Sequence, residues 1–132
     1  MIKIDKKIEY ALIILKHFKN NSKEMFSAKD ISDKYNLPFD MVAKVMQNFA
    51  QNGILEVRYG NKGGYFLSFF NSKINLLELS EMILGPLKIT KCLKNGECNV
   101  IDKCNIKSSI TSLNQKFLNM LKAVSIEEII QS

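Results

Sequence analysis

The residues best suited to chemistry in this chain are its three cysteines, which lie in one short window. Cys92, Cys98 and Cys104 have five residues in each gap between them, and the 132-residue chain contains no other cysteine. A cysteine thiolate binds soft metals and is the nucleophile of redox chemistry. Lysines such as Lys91 and Lys94 flank the thiols, and nearby positive charge favours the thiolate. The window therefore predicts a metal or redox site.

The spacing of the cysteines favours some ligands over others. Three thiols leave one unpaired in any disulfide framework. Structural zinc commonly uses cysteines about two to four residues apart, so five-residue gaps are wide for it. An iron–sulfur cluster is larger and suits such gaps better, although its fourth ligand cannot be cysteine here. We favour a cluster, with a zinc or thiol-redox site, or three incidental loop thiols, as alternatives.

The length and composition predict one globular domain, or one domain with an oligomerisation arm. Of the 132 residues, 46% are hydrophobic, which is enough to form a core. The net charge of +6 favours a polyanionic partner. We expect a cytoplasmic protein without membrane association. The longest apolar run, Ala11 to Leu15, is too short to span a bilayer, and free thiols suit a reducing compartment.

The first half of the chain predicts a helix-turn-helix. Apolar residues recur at three- and four-residue spacing over about residues 5–19, as on one face of an amphipathic helix. They are Ile8, Ala11, Leu12, Leu15 and Phe18. Ser27 and Asp30 form a capping-box pattern that begins a second helix. Pro38 suits the first position of a third helix over about residues 38–51. Two helices joined by so short a turn indicate a helix-turn-helix, although such turns are common in all-α proteins.

A β-hairpin is predicted directly after these helices. Residues 54–58 alternate like a strand, a glycine-rich tip follows, and residues 65–69 form the returning strand. This order is that of a winged helix, whose recognition helix enters the major groove while the wing lies along the backbone or in the minor groove. Arg58, the only arginine, stands at the base of the wing and suits guanine edges or phosphate. The alternative is a surface hairpin whose glycines merely allow the turn.

A long apolar seam follows the cysteine window. Before the window, Asn75 and Glu78 cap a helix that ends at Gly85-Pro86. After it, six apolar residues step by four and three residues in turn, as in a heptad seam. They are Ile106, Ile110, Leu113, Phe117, Met120 and Val124. We interpret the seam as a dimerisation helix, with folding back onto its own domain as the alternative.

These elements predict a mainly α-helical fold with a small β-hairpin wing, that is, an α+β winged helix-turn-helix with a long C-terminal dimerisation helix. We assign residues 1–86 to the DNA-binding domain, 87–105 to the cluster-binding cysteine loop, and 106–132 to the dimerisation helix and C-terminal tail. The sequence has no phosphate loop, no catalytic dyad and no histidine near the thiols. We therefore expect no catalytic residues and no enzyme.

Four groups of residues together resemble one known family. They are Glu9-Tyr-Ala-Leu12 in the first helix, Ser27-Ala-Lys-Asp-Ile31 at the start of the second, Val57-Arg58 with Gly63-Gly64-Tyr65 in the wing, and the three cysteines before the long helix. With them the chain resembles, over nearly its whole length, bacterial iron–sulfur-cluster regulators of the IscR/NsrR type, the Rrf-two family of winged-helix repressors.

The resemblance implies a homodimer that binds double-stranded DNA at a pseudo-palindromic operator. The long helices would cross, and each cysteine loop would lie near the partner's DNA-binding domain. Cluster state would then set the angle between the two DNA-binding domains, and so the affinity for the operator. The carried-over DNA-contact positions are Ser27, Ala28, Pro38, Phe39, Asp40, Met41, Lys44, Arg58, Tyr59, Asn61, Lys62, Gly63 and Gly64.

The fourth cluster ligand is where the sequence departs from part of this family. IscR-like members place a histidine shortly after the third cysteine, where this chain has Lys107, and a protonated lysine has no lone pair to donate. NsrR-like members use a carboxylate on the first helix of the other subunit, and Glu9 stands at that place. We expect Glu9 in trans, with Asp102 and Asp5 as alternatives. The competing interpretation of Glu9 is a solvated acid or a salt bridge to Lys6.

Three cysteines and one carboxylate would leave one iron with a weak oxygen ligand, open to nitric oxide or oxygen. By resemblance we favour a four-iron cluster and nitric-oxide sensing, with a two-iron sensor of iron or cluster supply as the alternative. The predicted function is that of a cluster-controlled transcription repressor. The competing functions are a winged-helix regulator whose thiols sense oxidants or bind zinc, and, more remotely, a cysteine-dependent enzyme or accessory domain.

Overall fold

The part of the chain that the structure describes is mostly helical, with one two-stranded sheet. A computed structural model describes residues 4–68, 74–87 and 105–131. Its elements are α1 (Lys6–Asn20), α2 (Ala28–Tyr35), α3 (Phe39–Gln51), β1 (Leu55–Arg58), β2 (Gly64–Leu67), α4 (Leu76–Leu84), α5 (Lys107–Lys122) and α6 (Ile126–Ile130). Within these ranges, no helix combines the length and the apolarity needed to cross a bilayer.

Local hydrogen bonds fix the turn between α2 and α3. The predicted capping box begins α2: Asp30 N–H donates to Ser27 Oγ at 3.0 Å, and Ser27 N–H donates to the Asp30 carboxylate at 2.8 Å. At the other end, Asn36 adopts the left-handed conformation with φ of 53°, which asparagine tolerates. Ser32 Oγ then donates to the Leu37 carbonyl at 2.6 Å. The chain therefore reverses within a few residues, as a helix-turn-helix requires.

The wing is tied to the helices by a short third strand segment. β1 and β2 pair antiparallel, with Leu55 opposite Leu67 and Arg58 opposite Gly64. Phe26 and Tyr65 exchange two backbone hydrogen bonds of 2.9 and 2.8 Å, so the segment before α2 pairs with β2. The base of the wing is thus fixed against the start of the helix-turn-helix.

One apolar core joins α1 to α3 and to the end of the chain. Leu15 and Phe18 of α1 and Phe49 of α3 are fully buried, and so is Ile126 of α6. The segment between α5 and α6 also bonds to α4, because Leu76 N–H donates to Val124 O and Ile126 N–H donates to Ile74 O. The last described helix is therefore part of the core of the DNA-binding unit.

The long helix α5 has one covered face and one exposed face. Asn114 is buried on the side that packs against α4. On the heptad seam, Ile106, Leu113 and Met120 are 53%, 53% and 58% exposed, and Ile110, Phe117 and Val124 are half-buried. At its three most exposed positions the seam does not fold back onto the described part of its own chain.

Candidate nucleic-acid interface

The exposed side of α3 starts at the first residue of the helix. Phe39 is 51% exposed, and Asp40 and Lys44 are exposed beside it. Because Val42, Val45, Met46 and Phe49 are buried, the opposite side of α3 is fixed in the core. The structure therefore presents the predicted Phe39, Asp40 and Lys44 on one outward face, with an aromatic, an acidic and a basic side chain.

Two other predicted residues at this helix have different surroundings. Pro38 is the residue that precedes α3, and its carbonyl accepts a hydrogen bond from Val42 N–H at 3.1 Å. Met41 is half-buried and lines a small, mostly apolar cleft of about 160 Å³ with Val45 and Ile83. Pro38 thus sets the start of the helix, and Met41 packs between α3 and α4. A DNA contact by either residue stays a prediction.

The wing tip is built by glycines that leave no space for side chains. A Cβ on Gly63 would lie 2.0 Å from the Arg58 carbonyl oxygen, which no real structure tolerates. A Cβ on Gly64 would lie 3.2 Å from Phe26 O, and Gly64 has a φ of 157°. Gly63 is therefore required for the turn, and Gly64 favours the close pairing with Phe26. The DNA contacts predicted for both glycines stay predictions.

The wing exposes aromatic, amide and basic side chains to solvent. Tyr59 is 88% exposed, and Asn61 and Lys62 are exposed next to it. Arg58 is exposed at the end of β1, with its guanidinium carbon 5.9 Å from the centroid of the Phe66 ring. A guanidinium at this distance over an aromatic ring can still make forked contacts through its N–H groups.

The start of α2 directly follows Phe26, the residue that pairs with β2 of the wing. Ser27 and Ala28 are half-buried, and Ala28 packs against the core. The Ser27 hydroxyl already accepts from Asp30 N–H, so its established role here is to cap α2. The DNA contacts predicted for Ser27 and Ala28 remain predictions.

A buried aromatic cluster supports this surface from behind. His17 is 4% exposed, and its Nδ1 lies 2.6 Å from the Tyr35 hydroxyl, within a hydrogen bond. Its ring packs edge-to-face against Phe26, with centroids 4.3 Å apart. Burial, and then the positive charge of Lys34, lower the pKa of His17, while burial raises the pKa of Tyr35. The cluster therefore holds a neutral imidazole and joins α1, α2 and the segment that pairs with the wing.

The predicted cluster ligands divide into two groups. Cys92, Cys98, Cys104 and Asp102 lie outside the described residues. Glu9 lies near the start of α1, its side chain 45% exposed, with Oε2 3.4 Å from Lys6 Nζ. The salt bridge named as the competing interpretation is therefore present, in an exposed pair that contributes little stability.

Of the alternative ligands, only Asp5 lies within the described residues, and it is engaged by its own helix. The Asp5 carboxylate accepts from Lys7 N–H at 2.8 Å and caps α1. Lys107 is exposed at the first residue of α5. Across residues 4–68, 74–87 and 105–131, no three histidine, cysteine or acidic side chains gather into a metal-binding group. A cluster site that uses Glu9 therefore needs the cysteine window as well.

Further surface residues, which were not predicted from the sequence, lie beside the predicted contacts. Gln47 is exposed on α3, about one helical turn beyond Lys44 and two beyond Asp40. Its three-residue step from Lys44 was the signal that could have identified it. Ser22 and Lys23 line a cleft with Arg58, although they are far from it in sequence. No sequence pattern joins those residues.

Comparisons with known proteins agree with this architecture. Residues 4–132 match the model of the Rrf2 family, described as an iron-dependent transcriptional regulator. The HTH-type transcriptional regulator NsrR of Bacillus licheniformis is 26% identical over 115 residues, which cover 85% of this chain and 80% of that protein. The HTH-type transcriptional regulator IscR of Xenorhabdus nematophila is 21% identical over 103 residues, covering 78% of this chain and 63% of that protein.

Two solved structures have a similar fold. CymR, the global cysteine regulator of B. subtilis, gives a TM-score of 0.69 at 19% identity, covering 99% of this chain and 98% of that chain. T. potens IscR gives a TM-score of 0.64 at 18% identity, covering 98% and 87%. The predicted winged-helix fold and the resemblance to IscR and NsrR are therefore confirmed. The chain belongs to the Rrf2 family and is a DNA-binding transcriptional regulator, not an enzyme.

Proposed function

We propose that this regulator is a homodimeric repressor whose affinity for operator DNA is set by an iron–sulfur cluster. The observation that carries the proposal is the position of the three cysteines in the chain. They lie between α4, which packs against α1, α3 and α5, and α5, which exposes the apolar seam. A ligand bound between the DNA-binding domain and a dimerisation helix can change the relative orientation of the two DNA-binding domains on the duplex.

The donor set suits an iron–sulfur cluster. Three thiolates are the soft ligands that such clusters take, and a carboxylate can complete the fourth position. Cys92, Cys98 and Cys104 would hold the cluster, with Glu9 of the partner subunit as the fourth ligand. Glu9 supports this role because it lies beside an open cleft of about 660 Å³, with Lys6 as an exposed and weak ion-pair partner.

The fourth ligand bears on which signal the regulator senses. An oxygen ligand is weaker than a fourth thiolate, so the iron that it holds would react with nitric oxide or oxygen. We propose a four-iron cluster that senses nitric oxide, with a two-iron sensor of cluster supply as the alternative. The names NsrR and IscR among the relatives support this pair of alternatives without choosing between them.

The test is the iron and sulfide content and absorbance spectrum of protein purified without oxygen. Wild type is expected to carry about four irons per chain with visible cluster absorbance that nitric oxide bleaches. Glu9→Ala is expected to lose its cluster many times faster than wild type. Lys6→Ala is the matched control, because it removes the observed ion pair and leaves the carboxylate in place.

The alternatives predict different results. About two irons, equally stable in Glu9→Ala, would replace the proposal by a two-iron sensor with another fourth ligand. Equal lability of Glu9→Ala and Lys6→Ala would show that Glu9 acts only through its ion pair. A colourless protein with zinc or a disulfide would contradict the cluster and support the thiol-switch regulator.

A further inference from the structure

A cationic cleft lies at the base of the wing, outside the predicted DNA contacts of α3. It has a volume of about 370 Å³ and is lined by Ser22, Lys23, Met25, Arg58 and Phe66. Ser22, Lys23 and Arg58 are exposed, so a hydroxyl and two cations border the same space. Its other walls are a methionine and an aromatic ring.

The two sides of the cleft are held together by the backbone. The Phe26–Tyr65 hydrogen bonds of 2.9 and 2.8 Å fasten the end of the α1–α2 connection to β2. Gly64 allows that approach, since a side chain there would press on the Phe26 backbone at 3.2 Å. This backbone pairing keeps Lys23 and Arg58 on the same cleft, although 34 residues separate them in the chain.

The cations of the cleft are not neutralised by nearby acids. Within the described ranges, neither Lys23 nor Arg58 forms an ion pair. Glu24, the neighbour of Lys23, does not line the cleft. Arg58 lies over the Phe66 ring, and no carboxylate of the described residues pairs with it. The cleft is thus positively charged and open to an anion.

We infer that this cleft binds a phosphodiester group of the DNA backbone beside the wing. Lys23 Nζ and the Ser22 hydroxyl would donate to the phosphate, together with Arg58. This inference deepens the DNA-binding function: it extends the protein's footprint on the duplex to the α1–α2 connection. It does not depend on the cluster, because none of the cleft residues belongs to the proposed ligand set. Backbone contacts of this kind set affinity and register without reading sequence.

The salt dependence of DNA binding tests the inference. The slope of log affinity against log salt is negative, and each lost phosphate contact reduces its magnitude by about 0.9. Lys23→Ala should therefore make the slope shallower by roughly 1.8 when both chains of a dimer bind one operator. The loss should weaken operator and random duplex by the same factor, since a phosphate contact carries no sequence information. Lys23→Arg should restore the wild-type slope, and Arg58→Ala should also make it shallower.

The matched control is Lys116→Ala on α5, which removes the same charge from an exposed residue on the helix that packs against α4. Ethylation interference gives a second readout. A phosphate whose ethylation blocks the wild type should cease to interfere for Lys23→Ala, because the contact is already absent.

The inference would be overturned if Lys23→Ala had the slope of Lys116→Ala and the wild-type interference pattern. The slope is measured on whichever form binds duplex, with or without iron. A failed cluster proposal would therefore leave this result standing. A chain that binds no duplex in either form would overturn the phosphate site together with the proposed repressor.

Discussion

The DNA-binding unit, here called the head, consists of α1–α4, the wing and α6. The head and the long helix α5 bury their apolar residues in different ways. In the head, Leu15, Phe18 and Phe49 are fully buried by elements of the same chain. On α5, Leu113 and Met120 are more than half exposed, although the helix packs its other face against α4. Burying such a side chain fully contributes about 1.5–3 kcal/mol. The head thus completes its core alone, whereas the seam has stabilisation still to gain from a second surface.

The largest effect is expected from a change inside the head. Phe49→Ala would leave a cavity in the core and should lower the free energy of unfolding by about 3–5 kcal/mol. Urea unfolding followed by circular dichroism measures this loss. Phe39→Ala is the matched control, because the same side chain on the same helix is 51% exposed there and should change stability by about 0.5 kcal/mol or less. Equal losses would contradict the assignment of an inner and an outer face to α3.

A smaller effect on folding, and a large one on assembly, is expected from the seam. Leu113→Glu would place one carboxylate from each chain in the apolar interface of the proposed dimer, which should weaken self-association by about a hundredfold or more. Sedimentation equilibrium measures the change, and circular dichroism should show the head still folded. Ser112→Glu adds the same charge at the neighbouring exposed residue, off the seam, and should leave the dimer intact. If both variants stay dimeric, the seam is not the interface.

The sequence predicted the parts of the fold that local physical chemistry decides. The Ser27–Asp30 capping box depends on residues three apart, and it is present with both hydrogen bonds. The wing follows from strand alternation and from glycines, and Gly63 has room for no side chain. The outward position of Phe39, Asp40 and Lys44 follows from the period of α3. Each of these features is encoded within a few residues.

What the sequence could not predict depends on contacts between distant segments. The spacing of α1 favoured Leu12 as a core residue, but Ile14 is fully buried and Leu12 only half-buried, because several elements surround α1. Ser125 and Glu128 form a local capping box, but only the packing of distant segments puts Ile126 and Ile130 of the capped helix in the core. Likewise, Lys23 and Arg58 line one cleft only because the Phe26 segment pairs with the distant strand β2.

The smallest expected effect concerns pH and the head alone. The imidazole of His17 is buried beside Tyr35, and its Nε2 has no hydrogen-bond partner within the described residues. Burial lowers its pKa below the ordinary 6.5, as does the positive charge of Lys34, while the charge of Glu24 acts weakly in the opposite direction. Lys16 also borders the cleft beside His17.

The sign of the pH effect follows from which state binds the proton. Above pH 6.5 both the folded and the unfolded chain carry neutral His17, so stability does not depend on it. As the pH falls below 6.5, His17 becomes protonated in the unfolded chain but stays neutral in the folded chain. The free energy of unfolding should therefore decrease. The decrease in stability is small, because only one group per chain changes its protonation.

Urea unfolding at pH values from about 7 to 5, within the range where histidine titrates, measures this dependence under reducing conditions. His17→Gln keeps a polar group for the Tyr35 hydroxyl but cannot titrate, so its stability should change less over that range than that of wild type. An unchanged pH profile would show that His17 is solvated or already charged in the folded head. Leu113→Glu should keep the wild-type dependence, because the buried imidazole reports on the core of the head and not on the seam.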